Sequence, residues 1–285
     1  MKLNFNNQKS KIKNQKEIIK TLIKIAKNNL LILVIISCIG FVGLVSVYRM
    51  FIQKPTYVYV RVKVGQGYWW ASTQKPSLWY VRAIQAAKEE KDLKGEPIAK
   101  ILRVAYYPWY GSNNFDIYVT LQLKVSQTGK KGTYSFKRDT IAVSAPIDLE
   151  FPNVQFSGTI TALSDKPFEQ NLTDKTVYLT KKYTYPWEYD TIQIGDYFND
   201  GNGKVVEVLE KAKGETSEVL VNELGKLLPA QTETYQYIHL KVLLRLRPQN
   251  DQWIYGEEII VSPGRGFGFV TNNFTFNDYV VAKIE

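Results

Sequence analysis

The sequence predicts a mainly β protein: one N-terminal membrane helix followed by two repeated β-sandwich or barrel-like domains with one or two short helices. Three observations carry this prediction. An uncharged apolar run stands near the N-terminus, strand-like alternation recurs through the remainder, and that remainder matches itself in order. The chain has 285 residues, 45% hydrophobic and 13% aromatic, with one Cys and one His. Apolar content of this size offsets the ordering entropy that leaves charged chains unfolded. A single Cys excludes a disulfide framework and a Cys-built zinc site.

The formal charge of +10 is unevenly placed. Residues 1–54 carry nine lysines and Arg49 against Glu17 alone, whereas the remainder is close to neutral. From Leu30 to Tyr48 no residue is charged. Nineteen residues at 1.5 Å each make roughly 28 Å, about the thickness of a bilayer's hydrocarbon core. The expectation is a transmembrane helix over 30–48 behind a Lys-rich cytoplasmic segment, 1–29. Lysines on the N-terminal flank put that end inside and residues 55–285 outside the cytoplasmic membrane. A cleaved signal peptide is the rival, but the run is long for one and no Ala-x-Ala-like site follows it. Ile12, Ile19, Ile23 and Ala26 at helical spacing between lysines fit a basic amphipathic helix on an anionic leaflet, or simply a solvated topology signal.

Beyond the anchor the elements follow in order. Val58, Val60, Val62 and Val64 alternate with polar partners, a strand signal. Pro76 to Glu90, with Leu78, Val81, Ile84 and Ala87 three apart, predicts a helix of three or four turns. Ile98–Leu102 and Val119–Val125 read as strands, with a turn at Thr128–Gly132 after them. The stretch 165–175, with Pro167 and no periodicity, separates a first domain, 55–165, from a second, 175–285. In the second, Val177–Leu179, Val205–Leu209 and Ile238–Leu246 read as strands, and Asn199–Gly203 and Ser262–Gly264 as turns. Glu215–Leu228 is a weaker helix candidate because Gly225 interrupts it.

The two halves align block by block. Val58-Tyr59-Val60 matches Val177-Tyr178-Leu179; Trp79, Ile84 and Gln85 match Trp187, Ile192 and Gln193. Ile98–Leu102 matches Val205–Leu209, Ile141–Ser144 matches Ile259–Ser262, and Asn153–Phe156 matches Asn273–Phe276. Trp79 and Trp187 recur at one repeat position, which suggests a packing role for both.

Candidate chemistry is sparse. Arg265-Gly266-Phe267-Gly268-Phe269-Val270 resembles the RNA-recognition-motif signature. That fold needs an αβ segment after the strand, yet fifteen residues remain, and the domain lacks the basic footprint; no nucleic-acid partner is expected. Asn199–Gly203 with Asp196 fails the calcium-loop spacing because Phe198 stands at a ligand position. His239 lies on the polar face of its strand with no nucleophile paired to it. Asp148, Glu150, Glu257 and Glu258 supply carboxylates for a hydrolase, the least favoured reading. No catalytic residue, metal ligand or cofactor site is assigned. The aromatic residues are more informative: Trp69 and Trp70 fall in an insertion, Val64–Thr73, that the second copy lacks, and Tyr107, Trp109 and Tyr110 belong to a YYPWY run. Exposed rings of this kind stack on sugars or anchor a protein partner.

In layout the chain resembles single-pass bacterial membrane proteins of unassigned function that pair a Lys-rich anchor with a duplicated extracytoplasmic β domain, a resemblance that implies no activity. The function expected is a membrane-anchored extracytoplasmic scaffold or protein-interaction module of the cell envelope. The bilayer is its partner through residues 30–48, and an envelope protein its partner outside. A glycan-binding module using the five aromatic residues is the alternative.

Overall fold

The computed structural model describes residues 30–52, 56–65, 76–109, 113–127, 132–214, 219–221, 224–229 and 236–285. The chain divides into two compact units, Met1–Pro55 and Thr56–Glu285. In the first, helix α1 covers Leu30–Ile52, 23 residues, or about 34 Å of helix. Its side chains are described at 34–45 and at Tyr48, where they are exposed. Among the described residues no helix is long and apolar enough to cross a membrane.

The second unit is mainly β, as its alternation predicts. Its first half runs β1 (Thr56–Val64), α2 (Leu78–Ala86), β2 (Glu89–Lys91), β3 (Pro97–Pro108), β4 (Phe115–Gln127), β5 (Tyr134–Phe136), β6 (Asp139–Ile141), β7 (Pro146–Phe151) and β8 (Val154–Ser164). The second half runs β9 (Thr173–Thr184), α3 (Pro186–Thr191), β10 (Tyr197–Asn199), β11 (Lys204–Gly214), β12 (Val219–Val221), β13 (Leu227–Pro229), β14 (Gln236–Gln249), β15 (Gln252–Tyr255), β16 (Ile259–Val261), β17 (Gly266–Val270) and β18 (Thr275–Ile284).

Each half folds into one antiparallel sheet of identical topology. The orders are β2-β3-β4-β1-β8-β7 and β10-β11-β14-β9-β18-β17, and in each a short hairpin, β5–β6 or β15–β16, extends from the long fourth or fourteenth strand. The duplication read from sequence is therefore a duplication of fold. Both sheets curl until their end strands meet. β2 comes against β7, and the amide of Asn272, just after β17, donates to the Tyr197 carbonyl on β10 at 3.0 Å.

Period-two alternation explains the cores. Val58, Val60 and Val62 face Leu123, Leu121 and Val119 across the β1–β4 ladder, and all six are wholly buried. Leu179, Leu240, Val242 and Leu244 repeat the pattern in the second sheet. Each such side chain contributes about 1.5–3 kcal/mol on burial.

The helix expected over 76–90 is shorter than its sequence suggests. α2 has nine residues and buries Val81 and Ile84; Ala87 already has extended dihedrals, and β2 starts two residues on. α3 begins with Pro186, whose missing N–H costs nothing at that position. Two expectations are corrected. Trp79 and Trp187, taken as packing residues, are 71% and 59% exposed. Both sit at equivalent starts of their helices but off the buried stripe, so recurrence marks equivalent environments without marking burial. Of the candidate helix at 215–228, residues 215–218 and 222–223 lie outside the described residues, and Val219–Val221 pairs instead as a strand with Leu227–Pro229, with Gly225 at φ +72° between them. A positive φ at Gly suits a turn and ends a helix.

Candidate functional site

The two halves of the β unit meet along a charged seam built from opposite ends of the repeat. The first half presents the outer faces of β1, β3 and β4; the second presents its β10–β11 turn and the tip of the β15–β16 hairpin. Alternation explains why those charges are available: Arg61 and Lys63 point away from the core that Val60, Val62 and Val64 fill.

Glu257 is the central group. Its Oε2 accepts from Arg61 Nη1 on β1 and from Arg247 Nη1 on β14, both at 2.7 Å. The side chains of Arg61, Glu257 and Arg247 are 13%, 9% and 20% exposed. Beside it, Lys63 Nζ donates to Glu258 Oε2 at 2.6 Å and lies 3.9 Å from Asp116. Burial lowers the Arg61 pKa below the ordinary guanidinium value; Glu257 opposes this and Arg247 adds to it.

The second contact is the β10–β11 turn, Asn199-Asp200-Gly201-Asn202-Gly203. Asp200 is 1% exposed, and its Oδ2 accepts from Arg103 Nη2 and from the Tyr107 hydroxyl, each at 3.2 Å. Asn202 Nδ2 donates to the Val104 carbonyl at 2.8 Å. Gly201 has φ +94°, and a Cβ there would stand 2.5 Å from Gln85 Nε2 and 3.0 Å from Tyr106. The Asp-Gly and Asn-Gly pairs thus make the turn that the sequence predicts, and the absence of a side chain lets that turn enter the first half.

Aromatic rings fill the space between these contacts. Tyr107 packs edge-on against Tyr118 and Tyr255 at 6.2 and 5.7 Å between centroids, and Tyr106 does so against Phe115 and Phe198. Burial pushes the phenols of Tyr107, Tyr118 and Tyr255 above the ordinary tyrosine range, with Asp200 adding to the effect at Tyr107 and Tyr255 and Glu258 at Tyr118.

Clefts remain beside the seam. One of about 420 Å³ is lined by Arg61, Tyr118, Phe168, Asn171, Arg247 and Glu257. Another of about 620 Å³ lies between α2 and the β17–β18 turn, with Leu78, Arg82, Tyr106, Phe198, Asn272 and Phe274 in its walls. A third, about 250 Å³, holds Tyr107, Trp109, Tyr118, Glu258 and the whole of β17.

Of the five aromatic residues singled out in the sequence, Trp69, Trp70 and Tyr110 lie outside the described residues. Tyr107 is half-buried in the seam, so its ring meets protein. Trp109 is 45% exposed on the smallest of the three clefts. Carboxylates considered for hydrolysis are separated: Asp148 and Glu150 are exposed on β7 of the first sheet, whereas Glu257 and Glu258 are held by Arg and Lys in the seam. Among the described residues no three His, Cys, Asp or Glu side chains stand together as a metal site would require. His239 is exposed, its Nδ1 3.2 Å from Thr180 Oγ1.

Arg61 and Arg103 carried no signal in the sequence, and Glu257 and Asp200 stood out there only as a candidate carboxylate and as part of a turn. In sequence none of the four is marked as part of a seam, and the pairs Arg61–Glu257 and Arg103–Asp200 are 196 and 97 residues apart. A comparison of the two copies could have found part of it, since Arg61 and Arg103 have no basic counterparts in the second. Comparison with family models, with curated proteins and with solved structures finds no match to this chain.

Proposed function

We propose that the protein is a membrane-anchored scaffold, in which one helix holds a two-sheet β unit at the outer face of the cytoplasmic membrane to present surfaces to other envelope proteins. The observation that carries this reading is the seam. Its charged groups engage one another across the two halves, so the seam serves to join the sheets into one presenting body. Breaking a buried pair of this kind is costly because the surviving charge loses its only compensation.

The anchor reading is supported by the sequence alone, by the uncharged run 30–48 and the lysines that precede it. Protease added to intact spheroplasts is expected to degrade residues 55–285 and spare the N-terminal segment; protection of the β unit overturns the orientation. In-cell cross-linking of the full-length protein, read by mass spectrometry, is expected to return a reproducible set of envelope proteins. Capture of the protein alone overturns the scaffold reading.

A further inference from the structure

The cleft of about 620 Å³ between α2 and the β17–β18 turn takes its walls from both halves of the β unit. Leu78, Arg82 and Gln85 stand at i, i+4 and i+7, so they form one stripe of α2. All three are exposed, while Val81 and Ile84 fill the core. Tyr106 and Phe115 of the first half and Phe198 of the second supply the aromatic lining, Tyr106 lying edge-on to the other two at 5.6 and 5.8 Å between centroids. The facing wall is the β17–β18 turn, with Asn272, Asn273 and Phe274. That turn is held in place. The Thr271 amide donates to the Phe274 carbonyl at 2.9 Å, and the Asn272 amide to the Tyr197 carbonyl of β10 at 3.0 Å.

Among the described residues that line the cleft, Arg82 alone carries a charge. Asp200, whose charge is felt at the Tyr106 hydroxyl, is answered by Arg103 at 3.2 Å. The Arg82 guanidinium therefore meets no carboxylate in these walls, and its planar fork suits an acid brought by a ligand. Gln85 and Asn272 carry amides that both donate and accept. Asn273 is fixed more firmly: its Nδ2 donates to Oδ1 of Asp196 at 2.5 Å, a carboxylate only 6% exposed. This commits the nitrogen and leaves the amide oxygen to accept from a hydroxyl. Aromatic rings beside such amides suit a ligand ring that is apolar on its faces and hydroxylated at its edge. A cleft of this volume lies within the range that holds small ligands.

We propose that this cleft binds a short acidic saccharide, with Arg82 on its carboxylate, Gln85, Asn272 and Asn273 on its hydroxyls, and a sugar ring against Tyr106 and Phe274. The site goes beyond the scaffold reading and does not rest on it, and it uses none of the five aromatic residues singled out in the sequence. Three amides to one cation favour a polyol with a single acid over an acidic peptide. The repeat does not supply a second such site. At the offset that matches Trp79 to Trp187, Gln85 is kept as Gln193, but Arg82 is replaced by Asp190, whose charge would repel the same ligand. One saccharide per chain is therefore expected.

The test uses the full-length protein in a detergent without sugar head groups and follows binding by ligand-observed nuclear magnetic resonance. The probes are trigalacturonate, neutral maltotriose, the cationic glucosamine trimer and the peptide Glu-Glu-Glu. Saturable binding of trigalacturonate, about tenfold or more tighter than maltotriose, is expected, and Arg82→Gln is expected to abolish that difference. Because Arg82 is exposed, the same variant should keep the parent's Tm. Arg82→Glu is expected to exchange the preference, binding the glucosamine trimer better than the parent does, a gain that no loss of folding can imitate. Absence of saturable trigalacturonate binding, indifference to Arg82→Gln, or equal binding of the acidic peptide each overturns the proposal. Since the assay needs neither cells nor a bilayer orientation, its failure leaves the spheroplast and cross-linking results standing, and theirs leaves it standing.

Discussion

Replacing Glu257 by Gln removes the one negative charge shared by Arg61 and Arg247. The amide oxygen still accepts from one guanidinium, but the other is left against it in a site where the three side chains are 9% to 20% exposed. Removing one partner of a buried pair costs about 3–5 kcal/mol. With the arginines retaining some solvent, the low end applies, about 3 kcal/mol. For a unit of this size each kcal/mol shifts Tm by about 2–4 °C, so the expected fall is roughly 6–12 °C. Thermal unfolding of the full chain by calorimetry, with tryptophan fluorescence in parallel, measures it. The triple replacement Arg61→Met, Glu257→Met and Arg247→Met removes all three charges together and is expected to return stability to within about 1 kcal/mol of the parent. A fall below about 1 kcal/mol for Glu257→Gln, or a triple variant no better than the single one, refutes the account of the seam as a mutually dependent triad.

Gly158→Ala is expected to unfold the first sheet, because its Cβ would stand 2.4 Å from Val62 Cγ1 and 2.5 Å from the Lys63 carbonyl; circular dichroism and a loss of at least about 1–3 kcal/mol in denaturant titrations check this. Trp79→Ala and Trp187→Ala, at exposed sites, are each expected to change stability by under about 0.5 kcal/mol, whereas Leu121→Ala, wholly buried, costs about 2–5 kcal/mol; equal losses at all three positions would restore the packing role. Burial raises the phenols of Tyr107, Tyr118, Tyr255 and Tyr279, so above about pH 10 the unfolded chain releases protons that the folded chain keeps, and stability, intact below that pH, falls as pH rises. Phenolate absorbance followed with near-ultraviolet circular dichroism should show these four of the nineteen tyrosines ionising only as the fold collapses; smooth titration of all nineteen beforehand contradicts their burial.

Strands were the most legible part of the molecule. Ile238, Leu240, Val242, Leu244 and Leu246 alternate in sequence and lie on the inner face of β14, because a sheet with one buried face enforces period two. The repeat was legible for the same reason, since matched blocks mark matched positions in a common topology. Tryptophan burial was not: α2 and α3 are too short for periodicity to fix which side meets the core. The candidate site was the least legible. Tyr107 stood out as an aromatic residue, yet its neighbours Arg103 and Asp200 come from different copies, and nothing local distinguishes a seam charge from a solvated one.

The position of β1 has a mechanical consequence. It is the first strand after α1, and it is an interior strand, paired to β4 from Thr56 to Lys63 and to β8 from Tyr59 to Val64. A pull on the chain at Thr56 directed along β1 therefore loads both ladders lengthwise, and many hydrogen bonds must fail together. Had the chain entered through an end strand such as β2 or β7, the same force would peel one bond at a time. A force applied at Thr56 along β1 would thus be met by the first sheet in shear.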